Sequence, residues 1–298
     1  MALHRVQPVG VGQPRRESVV HLSADIPVLL RSFLAMTTTS PDAGTVLAQS
    51  HGAVTVLTLS YAARRNALSM PLRAALHTQL EQAMADPECR AVVLTGEGGH
   101  FCSGGDISSF GGVTPASGRA RMQRVHAIVR LLVRGEKPVI AAVEGHAAGA
   151  GLCIAAACDV VVASREAKLS CTFNKIGLFP DLGGAWSIPL RMGLGRAKLL
   201  MMTGRVMDAA TAAQQGLVDQ LAEPGQALAD ALAMAQEMCA VSPLSNGMLK
   251  SVLARGPMPL EDLLAAETDA QAVLYGSEDF HEGREAFLAK RKPVFKGR

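Results

Sequence analysis

An α/β core followed by a helical C-terminal part is the fold class this sequence predicts. Between residues 53 and 164, short β-branched or wholly apolar runs alternate with amphipathic helical patterns. From about Leu190 onward only helical patterns remain. Composition agrees: 298 residues at 49% hydrophobic and 18% charged can bury a large core and do not resemble a disordered chain.

Residues 1–43 stand apart, with Gly, Pro, scattered Arg and one apolar patch, "IPVLLRSFLAM". Glu17 and Asp25 spoil the acid-poor pattern of a transit peptide. A disordered extension, or a start assigned ahead of Met36, is expected there. The run "AVTVLTLSY" (residues 53–61) alternates and reads as a strand. Ser69 and Pro71 then mark a helix start, with Leu72, Leu76, Leu80 and Met84 on one face. "RAVVLTGEG" (90–98) is a second strand, and residues 98–118 read as a long loop rich in Gly, Ser and Pro. Met122, Val125, Val129 and Leu132 give the next amphipathic helix. "KPVIAAVEG" is apolar on both faces, hence a buried strand, and "GHAAGAGLCIAAACD" ends in a helix apolar all round. "VVVAS" (160–164) is a fourth strand.

The bulk numbers exclude several classes. A net charge of +3 gives no footprint for nucleic acid. The six cysteines form no C-x-x-C pair and no zinc spacing, so no metal site is expected and a reduced, cytoplasmic compartment fits. No charge-free apolar stretch reaches the roughly 18 residues of a membrane span.

Three stretches carry the chemistry. "HFCSGGDI" (100–107) leaves a strand and "GHAAGAG" (145–151) opens the buried helix. Neither is a G-x-G-x-x-G after a strand, and no G-x-x-x-x-G-K-[ST] exists, so nucleotide sites are poorly supported. Both offer close-approach backbone N–H groups, and two such donors aimed at one oxygen make an oxyanion hole. Tight turns are the alternative for either motif alone. The third is "IGLFPDLGGAW" (176–186), where Asp181 sits among apolar residues, a proline and two glycines. On its own it reads as a carboxylate in a solvated turn.

Taken in order, "RRNALS", "AVVLTGEGGHFCSGGDI", "KPVIAAVEGHAAGAGLCIAAACDVVVAS", "IGLFPDLGGAW", "GLVD" and the ending "SEDFHEGREAFLAKRKPVF" resemble the crotonase superfamily, the enoyl-CoA hydratase and isomerase family. The resemblance implies a ββα spiral core over residues 44–235 with an acyl-CoA site. It also implies a C-terminal helical trimerisation region over 236–298, and a homotrimer or dimer of trimers. Coenzyme A is then part of the substrate and no other cofactor is expected. It implies an oxyanion hole for a thioester carbonyl from the N–H groups of Gly105 and Ala150. Arg64, Ala67, Ser103 and Ile107 then lie along the CoA groove, with Gly104, Asp106, Gly149 and Phe173 beside the acyl group. Asp106 is expected chiefly to order its loop. Lys290 or Lys292 is the candidate for CoA phosphates, with a plain surface lysine as the alternative.

The departures decide the reaction. At the two positions where family hydratases hold water with glutamates, this chain carries Cys153 and Phe173. Phe has no polar atom, and a buried thiol is a poor acid, so hydration by the usual route is not expected; Cys153 reads as a core thiol. Asp181 matches the acid of isomerase branches, which shuttles one proton along an acyl chain. The expected function is an enoyl-CoA isomerase of the Δ3-Δ2 or epoxyphenylacetyl-CoA type. Alternatives are a hydratase with an unusual water site, a thioester hydrolase or dehalogenase using Asp181 as nucleophile, and a catalytically silent acyl-CoA binder.

Overall fold

A strand covered on both faces becomes a continuous apolar run, and such runs mark the centre of this fold. The computed structural model describes residues 43–298; the expectation for 1–43 therefore lies outside the described residues, Ala43 excepted. The chain begins β1 (Thr45–His51), β2 (Val54–Ser60), α1 (Met70–Ala85), β3 (Ala91–Gly96), α2 (Pro115–Arg134) and β4 (Val139–Val143). It continues β5 (His146–Ala148), α3 (Ala150–Ala157), β6 (Val160–Ser164), β7 (Lys168–Ser170), α4 (Gly184–Met192) and α5 (Leu194–Thr203). Then come β8 (Val206–Asp208), α6 (Ala209–Gln214), β9 (Gln220–Ala222), α7 (Ala227–Cys239), α8 (Pro243–Leu253), α9 (Leu260–Tyr275) and α10 (Glu278–Leu288).

The larger sheet runs β1-β2-β3-β4-β6-β9 and the smaller β5-β7-β8. β1 and β2 form an antiparallel hairpin, and every other pair in the larger sheet is parallel. Val92 and Leu94 of β3 face the layer that holds Leu72, Ile128 and Leu152; Ala91 and Val93 face the other. That second layer is closed by Ala227, Ala231 and Ala235 of α7, whose four-residue spacing makes a smooth stripe that lets helix and sheet approach closely.

Helix α1 starts as its sequence predicts: the Ser69 hydroxyl accepts from Leu72 N, Pro71 sits in the first turn, and Leu72, Leu76 and Leu80 are buried. α2 starts earlier than its apolar anchors suggest, because Thr114 and Ser117 form a reciprocal cap ahead of them. The expected loop 98–118 is therefore shorter, and a 3-10 turn, Ile107–Phe110, interrupts it. The expectation of helices alone after Leu190 is corrected by β8 and β9, each three residues long and too short to show a period. β9 completes one edge of the larger sheet, while β1, exposed beyond Val46, completes the other.

Helix α8 is tied to this sheet by Lys250, which is 7% exposed and donates to Asp159 Oδ2 at 2.6 Å and Lys137 O at 2.8 Å. Asp159 Oδ2 also accepts from Val139 N at 2.7 Å, at the start of β4. Lys250→Met is expected to lower the unfolding free energy by about 1–3 kcal/mol, measured by urea denaturation. Among the described residues, no helix is long and apolar enough to cross a membrane.

Candidate active site

Two glycine-bearing segments are laid side by side by backbone bonds. Asn66 is fully buried; its Oδ1 accepts from Tyr61 N at 2.9 Å, and its Nδ2 donates to Glu97 O at 2.9 Å and His100 O at 2.7 Å. Leu68 N donates to Gly104 O at 2.7 Å, and Ala148 N to Cys102 O at 2.9 Å. The fit is tight: a Cβ on Gly104, whose φ is +108°, would lie 3.0 Å from Ala148 O. Gly149 then turns the chain with φ 51° and ψ −119°, a conformation that L-residues rarely adopt, and α3 begins at Ala150. Among the described residues, neither Gly105 N nor Ala150 N donates to a backbone carbonyl. Both residues line one cavity of about 480 Å³. Ala150 opens α3, so its amide carries the partial positive charge of a helix N-terminus.

The cavity wall is mostly apolar, with Ile107, Phe110, Met122, Phe173, Leu178 and Phe179. Its mouth is apolar too: Phe179 is 77% exposed and Ile107 61%. Asp181 is the one carboxylate among the described residues that line it. Its backbone is fixed at the entry to α4, where Asp181 O accepts from Gly184 N at 2.9 Å and Gly183 takes a left-handed φ of 74°. The side chain is 14% exposed, and its Oδ1 is buried with no hydrogen-bond donor among the described residues. It is not the solvated turn residue that its sequence alone would suggest. Burial raises the Asp181 pKa above the ordinary aspartate value, opposed by the positive charges of Arg73 and then Arg121. Desolvation wins that contest, because the nearest approach, Arg73 Nη1 to Asp181 Oδ2, is 3.9 Å and too long for a hydrogen bond.

Ser103, Gly104, Gly105, Ile107, Gly149, Ala150, Phe173 and Asp181 are all brought to this cavity. Arg64, Ala67, Asp106 and Lys290 are not on its wall. Arg64 O accepts from Ser103 Oγ at 2.9 Å, so that segment braces the site. Asp106 caps the 3-10 turn by accepting from Ser108 N at 3.1 Å, which is loop ordering, as its sequence suggested. Lys290 is exposed beyond α10. Cys153 is buried in the core, its thiol pKa raised by a hydrogen bond with Cys171 and by burial; burial also pushes Cys102 up to about 12. Neither thiol supplies a nucleophile or an acid at neutral pH.

Sequence reasoning missed two arginines. Arg73 is 5% exposed, and Arg121 stacks 4.5 Å over the Phe110 ring while donating to Ser109 O at 3.3 Å and Ser109 Oγ at 3.0 Å. A signal existed for both. Arg73 precedes Leu76 and Leu80 by three and seven residues, and Arg121 precedes Val125 and Ile128 by four and seven. Each falls on the apolar stripe of its helix, where a charge is costly unless used.

A family model described as Enoyl-CoA hydratase/isomerase matches residues 49–298. The 1,2-epoxyphenylacetyl-CoA isomerase of Escherichia coli (strain K12) is 35% identical over 259 residues, covering 85% of this chain and 98% of that protein. The 2,3-dehydroadipyl-CoA hydratase of the same organism is 35% identical over 246 residues, covering 82% and 96%. The solved structure of an enoyl-CoA hydratase from Polaromonas sp. JS666 is similar with a TM-score of 0.80 at 36% identity, covering 85% of this chain and 100% of that one.

Proposed function

This chain belongs to the enoyl-CoA hydratase/isomerase family, whose members act on acyl-CoA thioesters, and we propose that its own reaction is an isomerisation run by Asp181 alone. The observation that carries this reading is the acid–base inventory of the cavity: one carboxylate, with Cys153 and Phe173 where two water-holding glutamates would be needed. Hydration needs one group to activate water and a second to protonate carbon, each within hydrogen-bond reach. Moving a double bond needs one base used twice.

In that reaction the thioester oxygen sits between the N–H groups of Gly105 and Ala150. Asp181 takes a proton from C2, the C–H pair becomes the C1–C2 π bond, and the carbonyl pair moves onto the oxygen. Asp181 then returns the proton at C4 as the C2–C3 double bond forms and the carbonyl is restored. No further cofactor is needed. The raised pKa makes Asp181 both a stronger base in the first step and a willing donor in the second. The relative named 1,2-epoxyphenylacetyl-CoA isomerase favours an aromatic acyl group as a second substrate class, which the phenylalanine-rich wall would suit.

The test offers purified protein 3-enoyl-CoA and 2-enoyl-CoA separately, following conjugated thioester by its absorbance. Formation of conjugated product from the first, without hydration of the second, supports the isomerase. Hydration of the second at a comparable rate would overturn it in favour of the relatives' named hydratase activity.

A further inference from the structure

Arg73 is a buried cation that the reaction, as written so far, leaves idle. Its Nε donates to Leu68 O at 2.9 Å, and Leu68 N in turn holds Gly104 O. Its Nη1 and Nη2 are buried and find no acceptor among the described residues. Nη1 lies 3.9 Å from Asp181 Oδ2, and a Cβ placed on Gly105 would sit 3.2 Å from Nη2. The guanidinium thus spans the interval between the carboxylate and the oxyanion turn.

We propose that Arg73 is a positioning residue that keeps Asp181 ionised in its desolvated pocket and stands equally near the charge at both ends of its transfer. This rests on Asp181 as the base. Before proton abstraction the negative charge is on Asp181; afterwards it is on the thioester oxygen beside Gly105. A fixed cation reaching both places favours the starting ion without opposing its departure, the preorganisation that makes buried dipoles and charges effective.

The other groups facing Asp181 do not substitute for it. From α2 come Arg121, committed to Ser109, and His126. From the loop after β3, from α3 and from the segment after β7 come the thiols of Cys102, Cys153 and Cys171. An opposite charge at this range lowers a carboxylate pKa by about 1–3 pH units, so removing it lets burial act alone. The sign follows: without Arg73, Asp181 stays protonated to higher pH, and the base form is lost near neutrality.

The experiment compares wild type with Arg73→Leu, Arg73→Gln and Arg73→Lys. Asp181 ionisation is followed by carboxyl 13C NMR in aspartate-labelled protein, its resonance assigned by its loss in Asp181→Asn. In Leu and Gln the midpoint is expected to rise by about one pH unit or more, and Lys is expected to keep it near wild type. With 3-enoyl-CoA, kcat at pH 7 is expected to fall about tenfold or more in Leu and Gln and to recover as pH rises, with KM within about threefold. An unmoved midpoint in both neutral variants would overturn the proposal; so would a KM effect with an unchanged pH profile. Should Arg73→Leu fail to fold, Arg73→Gln carries the comparison. Should wild type not isomerise at all, the isomerase reading fails, while the NMR midpoint still decides the ion pair.

Discussion

Asp181→Asn is expected to lower kcat for 3-enoyl-CoA isomerisation by about 10²–10⁴-fold, the usual contribution of a positioned acid–base group. Asn has the same shape but cannot take a proton from C2. Nothing else on the cavity wall offers a replacement: the apolar residues have no titratable atom, and the Cys102 and Cys153 thiols are held protonated. Binding should survive, because the donors that grip the thioester belong to the main chain at Gly105 and Ala150. Calorimetric titration with a saturated acyl-CoA is therefore expected to give a Kd within about threefold of wild type. Turnover by the variant within tenfold of wild type would remove Asp181 from the chemistry.

Gly149→Ala is expected to cost about 10²–10³ in kcat, and for a reason that is purely conformational. Space is available, since the nearest atom to a Cβ there is Thr172 Oγ1 at 3.7 Å. The obstacle is φ 51° with ψ −119°, which an L-residue holds only at a strain of about 1–3 kcal/mol. Gly149 N is fixed by its bond to Ser170 O at 2.8 Å, so relief must come from ψ. Rotating ψ turns the peptide that carries Ala150 N–H, and one oxyanion donor swings off the substrate oxygen. Steady-state kinetics should show the loss in kcat, with KM little changed and melting shifted only modestly. A variant with undiminished kcat would mean that this amide does not hold the developing charge.

What could be read from the chain, and what could not, divides along range. β2, β3, β4 and β6 were legible because burial on both faces leaves no polar interruption, and α1 because Ser69, Pro71 and a leucine stripe coincide. β1, β8 and β9 were not, since an exposed edge or a three-residue strand has no period to detect. Within the site, glycines that permit close approach and an acid isolated among apolar residues announced themselves locally. Arg73 and Arg121 did not, because their meaning depends on α1 and α2 meeting the turn before α4. Each looked like a misplaced charge on an apolar stripe until the fold brought Asp181 to it.

The raised pKa of Asp181 has a consequence for the protein at rest. A carboxyl whose folded-state pKa lies above its unfolded value stabilises the fold fully below the ordinary aspartate range, and that contribution disappears as pH rises through the raised value. At neutral pH the protein thus holds its base in the protonation state the fold tolerates less well. Readiness to accept a proton and resistance to unfolding pull against each other at this one side chain, and the resting enzyme is the less durable of its two forms.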